Sequence, residues 1–287
     1  MNVLHSFKHP LALLGLLLVG GWVLMALFAP WLAPHDPLES FTPLLTPMTP
    51  DGDGLRFLLG TDMIGRDILS RLIWGTRTVL FWSILATLTA FAVGIAMGLC
   101  AGYFNGWVDG LLSYVADTVL SFPVLVLYIV IIIALGASAL NILIAVTFTS
   151  APAIFRIMRA LTIDIRSRDY VLSAITQGEG SLRIMLVEIL PNCGGPLIVD
   201  FCLRIGYTAI MIGALGFLGL GLPPPTPDWG GMINDGRAMA IAFPHLVIFP
   251  CIAISTLMLG LSLGSIDICA RDSIWNTPMV SARQIIS

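Results

Sequence analysis

The sequence of 287 residues is poor in charge and has almost no lysine: charged residues make up 11% of it, and Lys8 is its only lysine. Globular proteins carry about 25% charged residues, so this composition excludes an ordinary soluble domain. A phosphate-binding loop needs a lysine directly after its glycines, and no such glycines precede Lys8. If the protein takes part in an ATP-driven process, another subunit must bind the ATP. The net charge of −3 argues against a nucleic-acid partner.

Clusters of metal-binding or catalytic side chains are also missing. The five cysteines form no Cys-x-x-Cys pair, and the four histidines are scattered along the chain. This spacing favours cysteines that are small buried apolar side chains over a metal or redox site. No Gly-x-Ser-x-Gly, His-Glu-x-x-His or nucleotide-binding glycine motif occurs. We therefore expect no cofactor, no metal and no catalysis by this chain.

Apolar residues are abundant and make up 57% of the chain. A helix needs roughly 20 consecutive apolar residues to cross a bilayer. The sequence predicts an all-α membrane protein with six transmembrane helices, at about residues 10–33, 78–102, 110–136, 139–160, 193–221 and 246–268. The first run is longer than the 7–15-residue core of a signal peptide, which favours a retained helix.

Two of these predicted spans contain helix-shaping residues. Gly94, Gly98 and Gly102 recur at intervals of four, which predicts a face where another helix packs closely. In the third span, Ser121 and Pro123 predict a kink, and Asn105-Gly106 predicts a tight turn before it.

Three charged residues within predicted spans are candidate site residues: Asp117, Asp200 and Arg204. Asp117 is interpreted either as a functional acid in the membrane or as an aspartate that pairs with an arginine at the interface. Asp200 and Arg204 are four residues apart and share a helix face, which favours a structural ion pair over a contact with a substrate.

The stretch from Tyr170 to Asn192 is the longest polar-rich segment in the second half. Gly178 and Gly180 predict a turn between two short helices. In the second helix an apolar stripe is predicted from four residues at helical spacing: Leu182, Met185, Leu186 and Ile189. Nearby arginines place this hairpin in the cytoplasm by the positive-inside rule. Such a hairpin lies on a membrane or in a groove of a partner, and the order of its residues favours the partner.

Residues 34–77 form a predicted external segment, rich in proline at first. Thr61 or Asp62 is predicted to cap an interfacial helix anchored by Trp74. After the fifth span, glycines and prolines are followed by Trp229, which suits the outer membrane interface. This stretch is either a rigid external elbow or an outer gate on which a binding protein docks.

The segment 170–192 resembles the cytoplasmic coupling loop of permease subunits of bacterial ABC importers, in which a glycine is followed by nine residues, a variable pair and Leu-Pro. Leu172-Ser173-Ala174 departs from the Glu-Ala-Ala that opens that loop. Residues 60–71 are similar to a signature of the dipeptide, oligopeptide and nickel branch of these permeases. They read Gly-Thr-Asp, two residues, Gly-Arg-Asp, two residues, Ser-Arg. Residues 216–237 resemble this branch's Phe-Leu-Gly-Leu-Gly, proline and Trp-Gly stretch.

The resemblance implies three groups of site residues. The ATPase-coupling residues are Tyr170, Ala174, Gly178, Leu182, Leu190 and Pro191. The external motif, as we call it below, is Gly60, Thr61, Asp62, Gly65, Arg66, Asp67, Ser70 and Arg71. The elbow residues are Gly219, Gly221, Pro224, Trp229, Gly230 and Arg237.

The resemblance also implies an importer type I permease in a bacterial inner membrane. Its expected parts are residues 1–33 (tail and first span), 34–77 (external segment), 78–270 (five-helix core with the coupling loop at 162–191) and 271–287 (cytoplasmic tail). Both termini are expected in the cytoplasm. Expected partners are a second homologous permease, two ATPase subunits, an external solute-binding protein and the lipid bilayer.

Several functions remain open at this point. Within the importer class the cargo is a peptide or a related small solute, or alternatively nickel or a metal chelate. A function of another class is an ion-coupled secondary transporter, which would work from this chain alone. The sequence shows none of the internal repeats that such transporters carry.

Overall fold

The computed structural model describes residues 10–275 except residue 53, and of residues 12 and 265–275 it describes the backbone alone. The predictions for the N-terminal tail, for Lys8 and for residues 276–287 lie outside the described residues. In the described part every named element is a helix, and the β pairings are two isolated bridges, Pro50–Arg56 and Thr61–Asp67. The all-α prediction is therefore confirmed for the part of the chain that the structure describes.

Eleven α-helices follow one another in the described residues: α1 (Pro10–Leu27), α2 (Ala29–Leu32), α3 (Ile68–Phe104), α4 (Gly106–Leu120), α5 (Val124–Leu135), α6 (Ala139–Arg166), α7 (Asp169–Thr176), α8 (Ser181–Arg183), α9 (Gly194–Phe217), α10 (Trp229–Gly236) and α11 (His245–Trp275). A π-helical turn (Ile184–Ile189) and a 3₁₀ turn (Leu190–Cys193) join α8 to α9.

Four helical stretches are long and apolar enough to cross a membrane: α3, α6, the stretch Ser181–Phe217 and the part of α11 at His245–Gly264. Helices α4 and α5 together give a fifth candidate if a bent pair counts as one span. In α1 the apolar stretch Leu13–Leu27 is shorter than these. Four to five spans are thus supported by length and composition, and the count of six stays a prediction.

The predicted interfacial helix is wrong as a separate element. Helix α3 begins at Ile68 and continues without a break through the predicted second span to Phe104. Its N-cap is Asp67, whose side chain accepts hydrogen bonds from Leu69 N and Ser70 N, and not Thr61 or Asp62. No residue between Trp74 and residue 78 stops the helix, and the missing side chain at Gly75 leaves room for the Trp229 ring, since a Cβ atom there would lie 2.9 Å from Trp229 Cδ1.

The predicted glycine face of α3 is confirmed as a packing surface. A Cβ atom at Gly94 would lie 2.7 Å from Ile154 Cβ, one at Gly98 would lie 2.6 Å from Met158 Cβ, and one at Gly102 would lie 2.6 Å from Thr162 Cβ. Because any side chain there would collide with α6, the three glycines allow α3 and α6 to run side by side at close distance.

The predicted break in the third span is confirmed and is larger than a kink. Helices α4 and α5 are bent by 91° where Ser121-Phe122-Pro123 separates them. Pro123 cannot donate a backbone hydrogen bond and begins the new direction. Asn105 and Gly106 both have positive φ, +53° and +62°, as the predicted turn requires.

The bundle has two ends. Helix α3 starts at the external motif and ends at Phe104, on the side where Gly102 faces Thr162 and α6 leads into α7. Helix α9 then returns, and Gly213 near its C-terminus touches Gly230 of α10. We call the end with the external motif and α10 the motif end, and the end with α7 and α8 the hairpin end.

Candidate functional site

Asp62 is the centre of an ion cluster at the motif end. Its carboxylate accepts hydrogen bonds from Arg66 Nε (2.7 Å), from Arg71 Nη1 and from the backbone N–H groups of Ile64 (3.0 Å) and Arg66 (2.9 Å). The Arg71 side chain is 6% exposed and that of Asp62 is 11% exposed. A charged pair this deep needs its partners, because water cannot replace them.

Asp67 fixes the start of α3 to the external segment. Besides capping the helix, its Oδ2 accepts a hydrogen bond from Ser70 Oγ (2.6 Å) and lies 3.3 Å from His35 Nδ1. Ser70 Oγ also accepts a bond from His35 N (3.0 Å). The external motif thus holds the chain near residue 35 against the first turn of α3.

Gly60 and Gly65 of the external motif occupy positions that only glycine fits. Both have positive φ, +83° and +87°. A Cβ atom at Gly60 would lie 2.3 Å from Leu45 O, and one at Gly65 would lie 2.1 Å from Phe41 O. Thr61, between them, is fully buried and bonds with Thr42 O and Leu45 N. The motif is a tightly folded structural unit.

Trp229 of the elbow, which the sequence suits to the outer membrane interface, has its side chain inside the protein and not on its surface. Its side chain is fully buried, its Nε1 donates a hydrogen bond to Leu72 O (3.0 Å), and its ring packs edge-on against Trp22 at 5.1 Å between centroids. A tryptophan whose N–H has a partner loses little on burial. Trp229 therefore joins α10 to α1 and α3.

The start of α10 packs closely against the end of α9, and glycines on both helices make room for this contact. A Cβ atom at Gly230 would lie 2.2 Å from Gly213 O, and one at Gly216 would lie 2.8 Å from Asp228 Oδ1. Asp228 caps α10 by accepting a bond from Gly231 N (2.9 Å). Burial raises the pKa of the Asp228 carboxyl above its usual value, and hydrogen bonds from backbone N–H groups oppose this rise.

The external motif and the elbow, which are far apart in sequence, meet at one polar cavity of about 130 Å³. Arg66 Nη2 lies 3.4 Å and Arg71 Nη2 lies 3.8 Å from Asp235 Oδ2 of α10. The predicted residues that line this cavity are Arg66, Arg71, Gly219, Gly221 and Pro224. Arg237 does not line it and stacks on the Phe217 ring at 5.9 Å.

At the hairpin end, Gly178 ends helix α7 in the way that the sequence predicts. Its φ is +78°, its N–H bonds to Ile175 O (3.0 Å), and the N–H of Glu179 bonds to Ala174 O (3.2 Å). This pair of bonds is the Schellman arrangement, in which glycine after the helix satisfies the last carbonyl groups. The chain then turns at Gly180 into α8, which gives a helical hairpin.

The apolar stripe predicted for the second arm is only partly correct. Met185 and Ile189 are buried, but Leu182 and Leu186 are exposed, and Ile184 is buried in their place. The π-helical turn Ile184–Ile189, which begins after Leu182, winds more widely than an α-helix and shifts the inward positions within it, such as that of Leu186. The inward residues of the hairpin, with Val171 and Ala174 from α7, join a core cluster that includes Leu99, Tyr103 and Met158.

The other side of the hairpin carries exposed apolar side chains. They come from both arms: Tyr170, Leu172, Ile175, Leu182, Leu186 and Val187. Leu182 is 71% exposed. Partial loss of contact with water raises the pKa of the Tyr170 hydroxyl, although its side chain is exposed. Of the predicted coupling residues, Ala174 faces the core, Leu190 packs partly on it, and Tyr170, Leu182 and Pro191 are exposed.

The three charged candidate residues Asp117, Asp200 and Arg204 form ion pairs. Asp117 Oδ1 lies 2.6 Å from Arg156 Nη2, with both side chains more than half exposed, which supports the interfacial pair over a buried acid. Asp200 Oδ2 lies 2.7 Å from Arg204 Nε, and these side chains are less than one fifth exposed.

Two acidic residues of these networks were missed by sequence reasoning. Asp109 of α4 pairs with Arg159 of α6 beside the Asp117–Arg156 pair, and Asp235 completes the cluster at the motif end. Asp109 and Arg159 are separated by 50 residues, so only their positions near the same predicted membrane boundary could have suggested the pair.

Comparison with known proteins agrees with this architecture. Residues 90–263 match the family of binding-protein-dependent transport system inner membrane components, and residues 6–55 match the N-terminal transmembrane domain of oligopeptide transport permease C. The chain therefore belongs to the family of inner membrane permease components of binding-protein-dependent importers.

Curated relatives cover most of the chain. A dipeptide transport system permease protein of Haemophilus influenzae is 39% identical over 254 residues, which are 88% of this chain and 86% of the relative. A di/tripeptide transport system permease protein of Pseudomonas aeruginosa is 44% identical over 236 residues (81% and 78%). A glutathione transport system permease protein of Escherichia coli is 36% identical over 241 residues (84% and 78%).

Proposed function

We propose that this chain forms half of the translocation pathway of an ATP-driven importer that carries short peptides across the bacterial inner membrane. The relatives above are named for dipeptide, di/tripeptide and glutathione transport, and all three cargoes are peptides or closely related to them. A second, homologous permease completes the pathway, two ATPase subunits drive it, and an external binding protein delivers the cargo. ATP hydrolysis takes place on the ATPase subunits and not on this chain.

The observation that carries the proposal is the two-sided hairpin of α7 and α8. One side is tied into the bundle through Val171, Ile184 and Ile189, while the other presents apolar side chains such as Leu182 and Leu186 outward. An exposed apolar patch on a helical element is a common feature of surfaces that bind a protein partner. The outward side is the proposed contact with an ATPase subunit.

The same two-sidedness supports a mechanism. Because the inward side packs on α3 and α6 through Leu99, Tyr103 and Met158, a displacement of the hairpin moves these helices with it. Closure of the ATPase subunits would push the hairpin as a nearly rigid body and shift the bundle between inward-open and outward-open packings.

The proposed function implies an orientation of the chain in the membrane. The hairpin end faces the cytoplasm, with both termini on that side, and the chain crosses the membrane six times when α1 and the bent pair α4–α5 each count as one span. The motif end then faces outward, where the cavity between the external motif and α10 is part of the surface offered to the binding protein.

The test is a crosslink from the hairpin in the assembled complex. The chain is coexpressed with an ATPase pair and a second permease encoded near it, in a background that lacks its five cysteines, with Leu182→Cys as the only thiol. We expect a stable complex in which this thiol crosslinks to an ATPase subunit. Ile184→Cys is the matched control, because Ile184 is two residues away and buried.

A chain that purifies without ATPase subunits and carries solute in their absence would overturn the proposal. It would favour the ion-coupled secondary transporter instead. Crosslinking from position 184 and not from position 182 would show that the outward side is not the contact.

A further inference from the structure

A cavity of about 190 Å³ lies between α5, α6 and α9, and polar side chains from all three helices line it. They are Tyr128, Thr149, Ser150, Arg204, Tyr207 and Thr208. The remaining lining residues are apolar, as is most of the bundle. A cavity with hydroxyl groups on several walls and one guanidinium group suits a polar solute better than a lipid tail.

The Arg204 guanidinium is only partly used by the protein. Among the described residues we find one hydrogen bond from it, from Nε to Asp200 Oδ2 at 2.7 Å. Nε carries one of the five N–H donors of the group, so four donors on the two terminal nitrogens are left for another acceptor. Arg204 lines the cavity, whereas Asp200 lies one helical turn nearer the hairpin end and does not.

The free side of a guanidinium is shaped to bind a carboxylate through two parallel hydrogen bonds. A short peptide carries a carboxylate with a pKa of about 3.3–3.7 and an amino group with a pKa of about 7.7–8.0, so it is largely a zwitterion at neutral pH. Arg204 offers the positive charge that matches the carboxylate end of such a peptide. The cavity is smaller than the roughly 300–1,000 Å³ of sites that enclose a drug-sized ligand, so it fits one end of a peptide.

We propose that Arg204 binds the carboxylate terminus of a peptide in transit, and that Asp200 is a positioning residue that holds the guanidinium toward the cavity. The proposal rests on the peptide-importer function above and assigns a site to it. Binding at this site must be weak enough for the peptide to be released.

The test uses the complete importer in liposomes, with dialanine as the probe and uptake measured at a limiting concentration. Arg204→Gln leaves Asp200 unpaired, so it damages either a structural pair or a binding site. The double variant D200N/R204Q separates the two, because it removes both charges and leaves no buried charge without a partner. A purely structural pair predicts that the double variant recovers wild-type uptake.

Our proposal predicts instead that D200N/R204Q stays about tenfold or more below wild type, the size of effect expected for losing a charged hydrogen bond. Arg204→Lys keeps the positive charge but cannot donate two parallel hydrogen bonds, so its uptake is expected to lie between that of wild type and that of D200N/R204Q. The control is Cys202→Ser, between the pair in sequence and not lining the cavity, with uptake expected to be unchanged.

A second measurement uses the wild-type chain, in case the variants fail to assemble. A dipeptide with a photoreactive diazirine side chain is trapped in the importer and irradiated, and we expect crosslinks at Tyr128, Tyr207 or Thr208. Crosslinks confined to other helices, or full uptake by D200N/R204Q, would overturn this inference and leave the importer function intact. An assembled wild-type importer that does not take up dialanine would overturn the proposed cargo as well.

Discussion

The two ends of the bundle use glycine under the same backbone condition but for different reasons. Gly60 and Gly65 at the motif end and Gly178 at the hairpin end all have φ between +78° and +87°. Around Gly60 and Gly65 the neighbouring backbone leaves no room for a Cβ atom, whereas nothing lies within 4 Å of such an atom at Gly178. The turns at Gly60 and Gly65 are thus enclosed by the chain itself, whereas the turn at Gly178 lies in open space.

The two ends also differ in whether their charged and apolar side chains have partners within the chain. At the motif end Asp62 is bound by two arginines of its own chain, and Trp229 has its own hydrogen-bond partner. At the hairpin end Leu182 and Leu186 are exposed, and no described part of the chain covers them. The charged groups of the external motif thus have their partners within the chain, whereas the outward side chains of the hairpin have none among the described residues.

The largest loss of stability is expected for a substitution at Gly65, at the motif end. In Gly65→Ala the new Cβ would lie 2.1 Å from Phe41 O, a backbone atom that cannot move alone, and φ is +87°. We expect a loss of about 4 kcal/mol or more in the free energy of unfolding. The measurement is thermal unfolding of the purified chain in detergent.

Gly54→Ala is the matched control for that change. Gly54 has nearly the same φ, +82°, but a Cβ atom added to it would have no neighbouring atom within 4 Å. Its cost should be only about 1–2 kcal/mol, from the backbone conformation alone. Equal unfolding temperatures for the two variants would contradict the close packing that we assign to the external motif.

A smaller loss of stability is expected when Asp62, the centre of the ion cluster, is replaced. Asp62→Asn leaves the buried Arg66 and Arg71 without their main counter-charge, which should cost about 3 kcal/mol in the free energy of unfolding. Asp117→Asn removes the acid from a pair in which both side chains are more than half exposed, and about 1 kcal/mol or less is expected there.

Thermal unfolding of both variants checks this pair of values. If Asp62→Asn unfolds no earlier than Asp117→Asn, then the external motif is not held together by its charges, and the contrast between the two ends rests on packing alone.

The sequence predicted those features that depend on local rules. The glycine face of α3, the break at Pro123 and the helix stop at Gly178 each follow from what a residue does to its own backbone and its nearest turn. The Asp200–Arg204 pair was predictable for the same reason, because four residues in a helix place two side chains on one face.

The features that were missed depend on contacts between distant parts of the chain or on an irregular turn. Trp229 is buried because Leu72, 157 residues away, offers it a carbonyl group. Asp235 reaches Arg66 only because α10 folds onto the start of α3. Leu186 faces outward because a π-helical turn replaces the regular spacing on which the predicted stripe relied.

At Gly178 we expect a small effect on stability and a large effect on function. Gly178→Val forces a β-branched side chain into φ of +78°, which should cost about 1–2 kcal/mol and change the path of the chain between α7 and α8. Since nothing surrounds the position, membrane insertion should be intact. ATP-dependent uptake of dialanine should be abolished, because the outward apolar side chains of α7 and of the second arm would no longer form one continuous surface.

Gly180→Val is the control for this change, because Gly180 lies two residues further on, also in open space, with φ of −67° and ψ of 142° that suit valine well. Its uptake should stay close to that of wild type. If Gly178→Val also transports normally, the turn is not the element through which ATPase closure reaches the bundle. The difference between the two ends would then be one of packing and not of function.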